Sequence, residues 1–299
     1  MKNPLKNKLI VITGFGRSGT TILGKVLGSM DNAVFAFEPP VMKTLSEFGV
    51  SNIPAKLLFE THFLPEIQGR GNQNCIDDSY TLNYLDDVLL YHICDKLRSR
   101  NDAERYLTDN NYKFVLKNTC LQYNMELIEQ FFPGVKFVHI IRNGFDAIYS
   151  ALSRGWFTDE HCNSDAVEDM IPHPKCDIFP YIDRESMLLW PDWNPATRAA
   201  CAWRCAVTSG LRFKNANPDK CVQFKYEDFI TKPLRYVLKF MHKFNLSCSD
   251  LTLKHINAIN DFKQTPQIDN VYRYQIVEPE RTKFINLIKK LKYKDANET

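Results

Sequence analysis

The sequence has no apolar run approaching the roughly eighteen residues needed to span a membrane, so no segment reads as a transmembrane helix. It lacks a strong charge imbalance: 38 Lys and Arg stand against 35 Asp and Glu, a net charge of +3. That total gives no electrostatic footprint for nucleic acid, and neither nucleic acid nor membrane is expected as a partner. Glycine and proline are sparse, 12 and 15 in 299 residues, which excludes collagen-like and Gly/Pro-rich low-complexity chains. No secretion signal is expected from the opening residues: Met1–Lys8 is polar, and the apolar stretch Leu9–Ile12 is too short for a signal core. The nine cysteines are an odd number scattered along the chain. Such usage predicts free thiols in a reducing, cytoplasmic setting rather than a disulfide framework.

What is present is a core. Apolar residues make up 44% of the chain and charged residues only 24%, a balance that excludes disorder. A chain of this length buries roughly 75% of its unfolded surface, enough to fold without staples. Short β-branched and apolar runs predict strands at Lys8–Thr13, Ala33–Phe37, Lys113–Lys117, Lys136–Ile141 and Cys221–Phe224. Between them, 3.6-residue periodicity predicts helices at Thr20–Met30, Thr81–Arg100, Tyr123–Phe132, Phe145–Leu152, Pro195–Lys214, Pro233–Phe244 and Arg281–Leu291. Residues 49–80 read as irregular. Strands alternating with helices give an α/β class, with a central, mostly parallel sheet flanked by helices, and residues 1–299 as a single domain.

Between the first strand and its helix lies Gly14-Phe15-Gly16-Arg17-Ser18-Gly19-Thr20-Thr21. Small residues here let the backbone turn tightly and aim several N–H groups at one anion. The glycine spacing is that of a Walker A loop, but Thr20 stands where that motif demands Lys. The missing Lys argues against nucleoside triphosphate hydrolysis, and Arg17 offers a cation from elsewhere in the loop.

Arg17-Ser18-Gly19-Thr20-Thr21 resembles the 5′-phosphosulfate loop of sulfotransferases that use 3′-phosphoadenosine 5′-phosphosulfate (PAPS) and release 3′,5′-ADP (PAP). The resemblance implies a P-loop nucleotide kinase-like sulfotransferase fold with no metal requirement. It also makes a demand farther along, for an Arg at a strand end and a Ser eight positions later as the 3′-phosphate site. Arg142 and Ser150 meet that spacing. A third match, Tyr226-Glu227-Asp228 followed by Pro233, implies that Tyr226 lies near the adenine. Glu227 and Asp228 read as helix-start or structural carboxylates. A weaker match, Val271-Tyr272-Arg273-Tyr274-Gln275, offers Arg273 to the 3′-phosphate in place of the Arg-Lys-Gly motif of the cytosolic branch, which is absent.

Glu38 ends the second strand before Pro39-Pro40 and resembles the catalytic Glu of the tyrosylprotein, carbohydrate and bacterial branches, where the cytosolic branch uses His. Lys117, at the end of the third strand, resembles the Lys that stabilises the departing oxygen. His62, His92 and His139 have no catalytic context, and His139, inside a strand, reads as a core residue.

Residues 155–195 interrupt the alternation and read as an acceptor-covering insertion. They hold nine acids and two bases, a net −7 that leaves +10 for the rest of the chain. Trp156, Phe157, Phe179, Tyr181, Trp190 and Trp193 accompany them. An acidic, aromatic lid suits a small cationic acceptor bearing an amine or guanidinium, although a charge run also serves as a plain solvated loop. His161-Cys162 and His173…Cys176 do not have the spacing of a zinc finger or ribbon. Two other readings stay open: a P-loop phosphotransferase or kinase, and a non-catalytic nucleotide-binding module.

Overall fold

The computed structural model describes residues 5–38, 112–119, 121–162, 182–261 and 275–293. Among the described residues five strands form one sheet: β1 Leu9–Thr13, β2 Ala33–Phe37, β3 Lys113–Lys117, β4 Lys136–Ile141 and β5 Cys221–Lys225. Their order is β2-β3-β1-β4-β5, and every pairing is parallel. The helices are α1 Thr20–Gly28, α2 Met125–Phe131, α3 Gly144–Leu152, α4 Asp159–Cys162, α5 Arg184–Leu189, α6 Pro195–Ala216, α7 Tyr226–Thr231, α8 Pro233–Phe244, α9 Asp250–Asp261 and α10 Glu280–Lys290.

Strand residues alternate between two apolar layers, as a period of two requires. Leu9, Val11, Phe114, Leu116 and Phe137 pack with Met125, Ile128 and Phe213 on one face. Ile10, Ile12, Val115, Val138, Ile140 and Phe224 pack with Leu23, Leu27, Phe240 and Ile256 on the other. A sheet covered on both faces explains why the strands read as continuous apolar runs.

The order of the strands fixes where a ligand can sit. From β1 the chain moves to the β2 side; from β4 it moves to β5 on the opposite side. The crevice beyond the carboxyl ends of β1 and β4 is therefore the topological switch point, the usual ligand position in open α/β sheets. Register brings Thr13 level with His139, Ile12 with Lys117, and Phe37 with Lys117, so the ends of β1 to β4 share one edge.

Several boundaries differ from the expected ones by a residue or two. Helix α1 stops at Gly28 rather than Met30, and α6 runs on to Ala216. Helix α6 starts cleanly because the Asn194 side chain caps the Thr197 N–H at 2.9 Å and Pro195 fills the first turn. Part of the 155–195 segment that interrupts the expected alternation is helical: Asp183 caps Ser186 and starts α5. The expected helix at 81–100 and the irregular 49–80 lie outside the described residues. Cys162, Cys201, Cys205, Cys221 and Cys248 are free thiols. Among the described residues, no helix is long and apolar enough to cross a membrane.

Candidate active site

The loop after β1 is built around two left-handed residues, Arg17 at φ +70° and Gly19 at φ +86°, on either side of Ser18. A non-glycine residue at such φ costs on the order of 1 kcal/mol or more, so the loop shape is imposed by its surroundings. At Gly19 a side chain is excluded outright: a Cβ would lie 2.3 Å from the ring of Tyr226. Trp156 closes the loop from the other side, its ring lying where a Cβ on Gly16 would fall. Ser18 is 1% exposed, and its Oγ is buried without a hydrogen-bond partner. A buried hydroxyl with no partner is costly and fits an oxyanion ligand that completes it. Thr20 is buried and Thr21 half-buried at the start of α1.

Arg142 follows β4 directly and points back at the loop. Its Nη1 donates to the Arg17 carbonyl at 2.9 Å, and its guanidinium lies 5.0 Å from the centre of the Tyr226 ring. Arg17 Nε donates to Ser150 Oγ at 3.1 Å. The expected 5′ and 3′ phosphate motifs are thus one connected cluster, with Tyr226 packed between Gly19 and Arg142. Burial raises the Tyr226 phenol above its ordinary range, so it stays a neutral ring.

Across β1, Glu38 and Lys117 meet as an ion pair: Lys117 Nζ donates to Glu38 Oε1. Thr119 Oγ1 donates to the same oxygen at 3.1 Å. Glu38 sits at φ +42°, a strained conformation held by its N–H donating to the Lys117 carbonyl at 2.7 Å. The Lys117 side chain is 4% exposed and that of Glu38 is 29% exposed. The ammonium also lies 4.4 Å from the centre of the Phe37 ring. The Asn118 N–H donates to the Ile12 carbonyl at 3.0 Å, which ties this pair to the exit of β1 and its loop.

A family model described as "Sulfotransferase family" matches residues 10–176, a span that runs from β1 past the Arg142 turn. The chain belongs to the sulfotransferase family. Solved sulfotransferases share its fold at low identity. The sulfotransferase domain from the Synechococcus PCC 7002 olefin synthase is 15% identical at a TM-score of 0.56, covering 99% of this chain and 97% of that one. The sulfotransferase domain from the curacin biosynthetic pathway is 16% identical at 0.52, covering 96% and 98%. Sulfotransferase STF9 from Mycobacterium avium is 15% identical at 0.50, covering 97% and 78%. No curated protein matches the chain.

In this sulfotransferase the described ends of residues 155–195 are held by residues that carry no motif. Arg198, inside α6 and only 4% exposed, donates to the carbonyls of Trp190 (3.0 Å), Pro191 (2.8 Å) and Phe157 (3.4 Å) and to Asp159 (2.5 Å). One side chain thereby pins both described ends of the 155–195 segment to the core. Nearby, Arg204 grips Glu280 at 2.6 and 2.8 Å, while Asp183 accepts from Arg204 and Lys283. Partial burial works against the charged form of Asp183, and hydrogen bonds from Ser186 and Lys283 overcome it, holding its pKa at about 2.

His139 is fully buried, with Nδ1 2.7 Å from the Gln223 amide and the ring against Gly210; burial lowers its pKa to about 4. It is a core residue, as its place in a strand suggested. Glu227 accepts from the Asn143 N–H at 2.8 Å and from Tyr293 at 3.1 Å, and burial raises its carboxyl. Arg273 and the pair His173 and Cys176 lie outside the described residues. Among the described residues no cluster of His, Cys, Asp and Glu is placed to hold a metal.

Proposed function

We propose that this sulfotransferase moves the sulfuryl group of PAPS to a hydroxyl or amine of a small acceptor, with Glu38 as the general base. The observation that carries the reading is the single edge on which the phosphate loop, the Arg142–Arg17–Ser150 cluster and the Glu38–Lys117 pair converge at the switch point. The loop N–H groups with Arg17, Ser18, Gly19, Thr20 and Thr21 would hold the 5′-phosphosulfate, and Arg142 and Ser150 the 3′-phosphate. Tyr226 would flank the adenine, and Arg273 is a further candidate for the 3′-phosphate. The partnerless Ser18 hydroxyl and the Cβ-free approach at Gly19 fit such a ligand. When bound, the cofactor supplies an activated sulfuryl group with a phosphate as leaving group.

The chain's own part is to orient and to move a proton. Lys117 and Thr119 anchor Oε1 of Glu38, which leaves Oε2 to take the acceptor's proton. Lys117 also sets a buried cation at this edge, where it stabilises negative charge as it develops. No residue of the set calls for a metal.

The test has two arms. 3′,5′-ADP without Mg²⁺ should raise the melting temperature, by about 2.7 kcal/mol of stability at a hundredfold excess over Kd. Mass spectrometry of an acceptor panel incubated with PAPS should show the gain of one SO₃. Stabilisation only by ATP with Mg²⁺ would indicate a phosphotransferase instead. Binding without turnover across a broad panel would indicate a nucleotide-binding module.

The acceptor is proposed to be cationic, on the charge of residues 155–195. Of the five described acids there, Asp159 pairs with Arg198, Asp183 with Arg204 and Lys283, and Glu185 with Lys283. Attraction for an acceptor therefore falls to Glu160, Asp192 and the acids within 163–181. Equal kcat/KM for guanidinium compounds, phenols and sugars would overturn this part.

A further inference from the structure

Three successive residues at the exit of β4 are each anchored through the backbone by a side chain from elsewhere in the chain. The Ile141 carbonyl accepts from the Tyr293 hydroxyl at 3.3 Å. The Arg142 carbonyl accepts from Trp203 Nε1 at 3.2 Å. The Asn143 N–H donates to Glu227 Oε1 at 2.8 Å, and the Tyr293 hydroxyl shares its one hydrogen between the Ile141 carbonyl and Glu227 Oε2, 3.1 Å away. One phenol and one carboxylate therefore bracket Arg142 on both sides.

Tyr293 is delivered by the last helix. Lys292, at φ +55°, turns the chain at the end of α10, and the Tyr293 N–H returns to the Ile288 carbonyl at 3.2 Å. The Lys225 ammonium lies 4.1 Å from the ring centre. The same helix sets Phe284 edge-on to Phe145 at 5.1 Å and to Trp203 at 5.2 Å, directly over Gly144. All of α10 lies beyond residue 176, where the family match ends.

We propose that Tyr293, acting with Glu227, is a positioning residue for the Arg142 guanidinium, and so sets the preference of the crevice for a nucleotide phosphorylated at its 3′ as well as its 5′ position. The proposal rests on the nucleotide reading above. A guanidinium at the end of a long flexible stem recognises a phosphate only when the backbone carrying it is fixed, because such sites tolerate errors of only about 0.5 Å and 10–20°. Tyr293 and Glu227 touch neither phosphate subsite themselves; they act through the Arg142 backbone.

Calorimetric titration of the full chain with 3′,5′-ADP and with 5′-AMP tests it. Tyr293→Phe keeps the ring and its packing and removes only the hydroxyl. It should weaken 3′,5′-ADP by about tenfold, the worth of one hydrogen bond, and 5′-AMP by less than about twofold. Glu227→Ala should follow it. Glu227→Gln, which keeps an acceptor for Asn143 and a partner for the phenol, should stay within about threefold of the parent. Equal losses for both nucleotides, no loss for 3′,5′-ADP, or Glu227→Gln as weak as Glu227→Ala would overturn the positioning role. A parent protein that binds 5′-AMP as tightly as 3′,5′-ADP would overturn the nucleotide reading, and this proposal with it.

Discussion

On the β1–β4 side of the crevice, the residues proposed to hold phosphate are fixed many times over. Arg142 is tied through its own guanidinium, its carbonyl and both neighbouring peptides, and Arg17 is tied to Ser150. On the β2–β3 side, Glu38 hangs from one peptide hydrogen bond and two side-chain donors, on a strained backbone and partly open to solvent. The contrast matches what each side is proposed to do. Binding a multiply charged anion needs donors that do not reorganise, so rigidity there adds affinity and selectivity. A base must reach an incoming acceptor, so it stays exposed and is oriented through one oxygen only.

Substitutions on the two sides should therefore separate binding from turnover. Removing the proposed base with Glu38→Gln should lower kcat by about 10²- to 10⁴-fold and leave the affinity for 3′,5′-ADP within about twofold. A comparable loss of affinity would erase the distinction. The mirror experiment, Arg142→Ala, should weaken 3′,5′-ADP by roughly 30- to 100-fold, the worth of charge-assisted hydrogen bonds.

Acid should also act on the β4 side. His139 takes up a proton near pH 6.5 when unfolded but only at about 4 when folded. Its contribution to stability is therefore complete above pH 6.5 and is lost as the pH falls towards 4, amounting to about 3 kcal/mol across that window. Denaturant titrations at pH 7 and pH 4.5 should show a steeper loss for the parent than for His139→Asn. Parallel losses would place the acid sensitivity elsewhere. The smallest effect expected is from Thr119→Val, which removes one donor to Glu38. Turnover should fall about 3- to 10-fold with 3′,5′-ADP binding unchanged.

Much of the scaffold was legible in the sequence, for identifiable reasons. Ala33–Phe37, Lys113–Lys117 and Lys136–Ile141 were read to the residue because apolar, β-branched runs bounded by polar or turn residues have few other readings. Helices α4 and α5 escaped notice, and of α7 only a start at Glu227 and Asp228 was read, because segments of four to six residues leave little periodic signal; α9 was missed as well. In the crevice, Arg17, Arg142, Ser150, Glu38 and Lys117 stood out by motif and spacing, but their mutual contacts did not. The Lys117–Glu38 pair spans 79 residues of sequence and the Arg17–Ser150 bond 133. Thr119, Arg198 and Tyr293 were missed altogether, since each works through tertiary contacts that no local pattern announces. The acid-rich segment read as a surface charge, yet Asp159, Asp183 and Glu185 are largely consumed by arginines and a lysine of its own framework.

The strand order has a consequence for how the chain is made. Of the described strands the earliest in sequence, Leu9–Thr13, is the central one, and both of its neighbours are encoded later, at Lys113 and Lys136. About a hundred residues must be translated before β1 finds any partner, which at roughly 5–20 residues per second is some 5–20 seconds with an apolar strand unpaired. The residues of the loop after β1 are thus made well before those that shape it. Their left-handed turns, which depend on Tyr226 and Arg142, can set only after most of the chain has been translated.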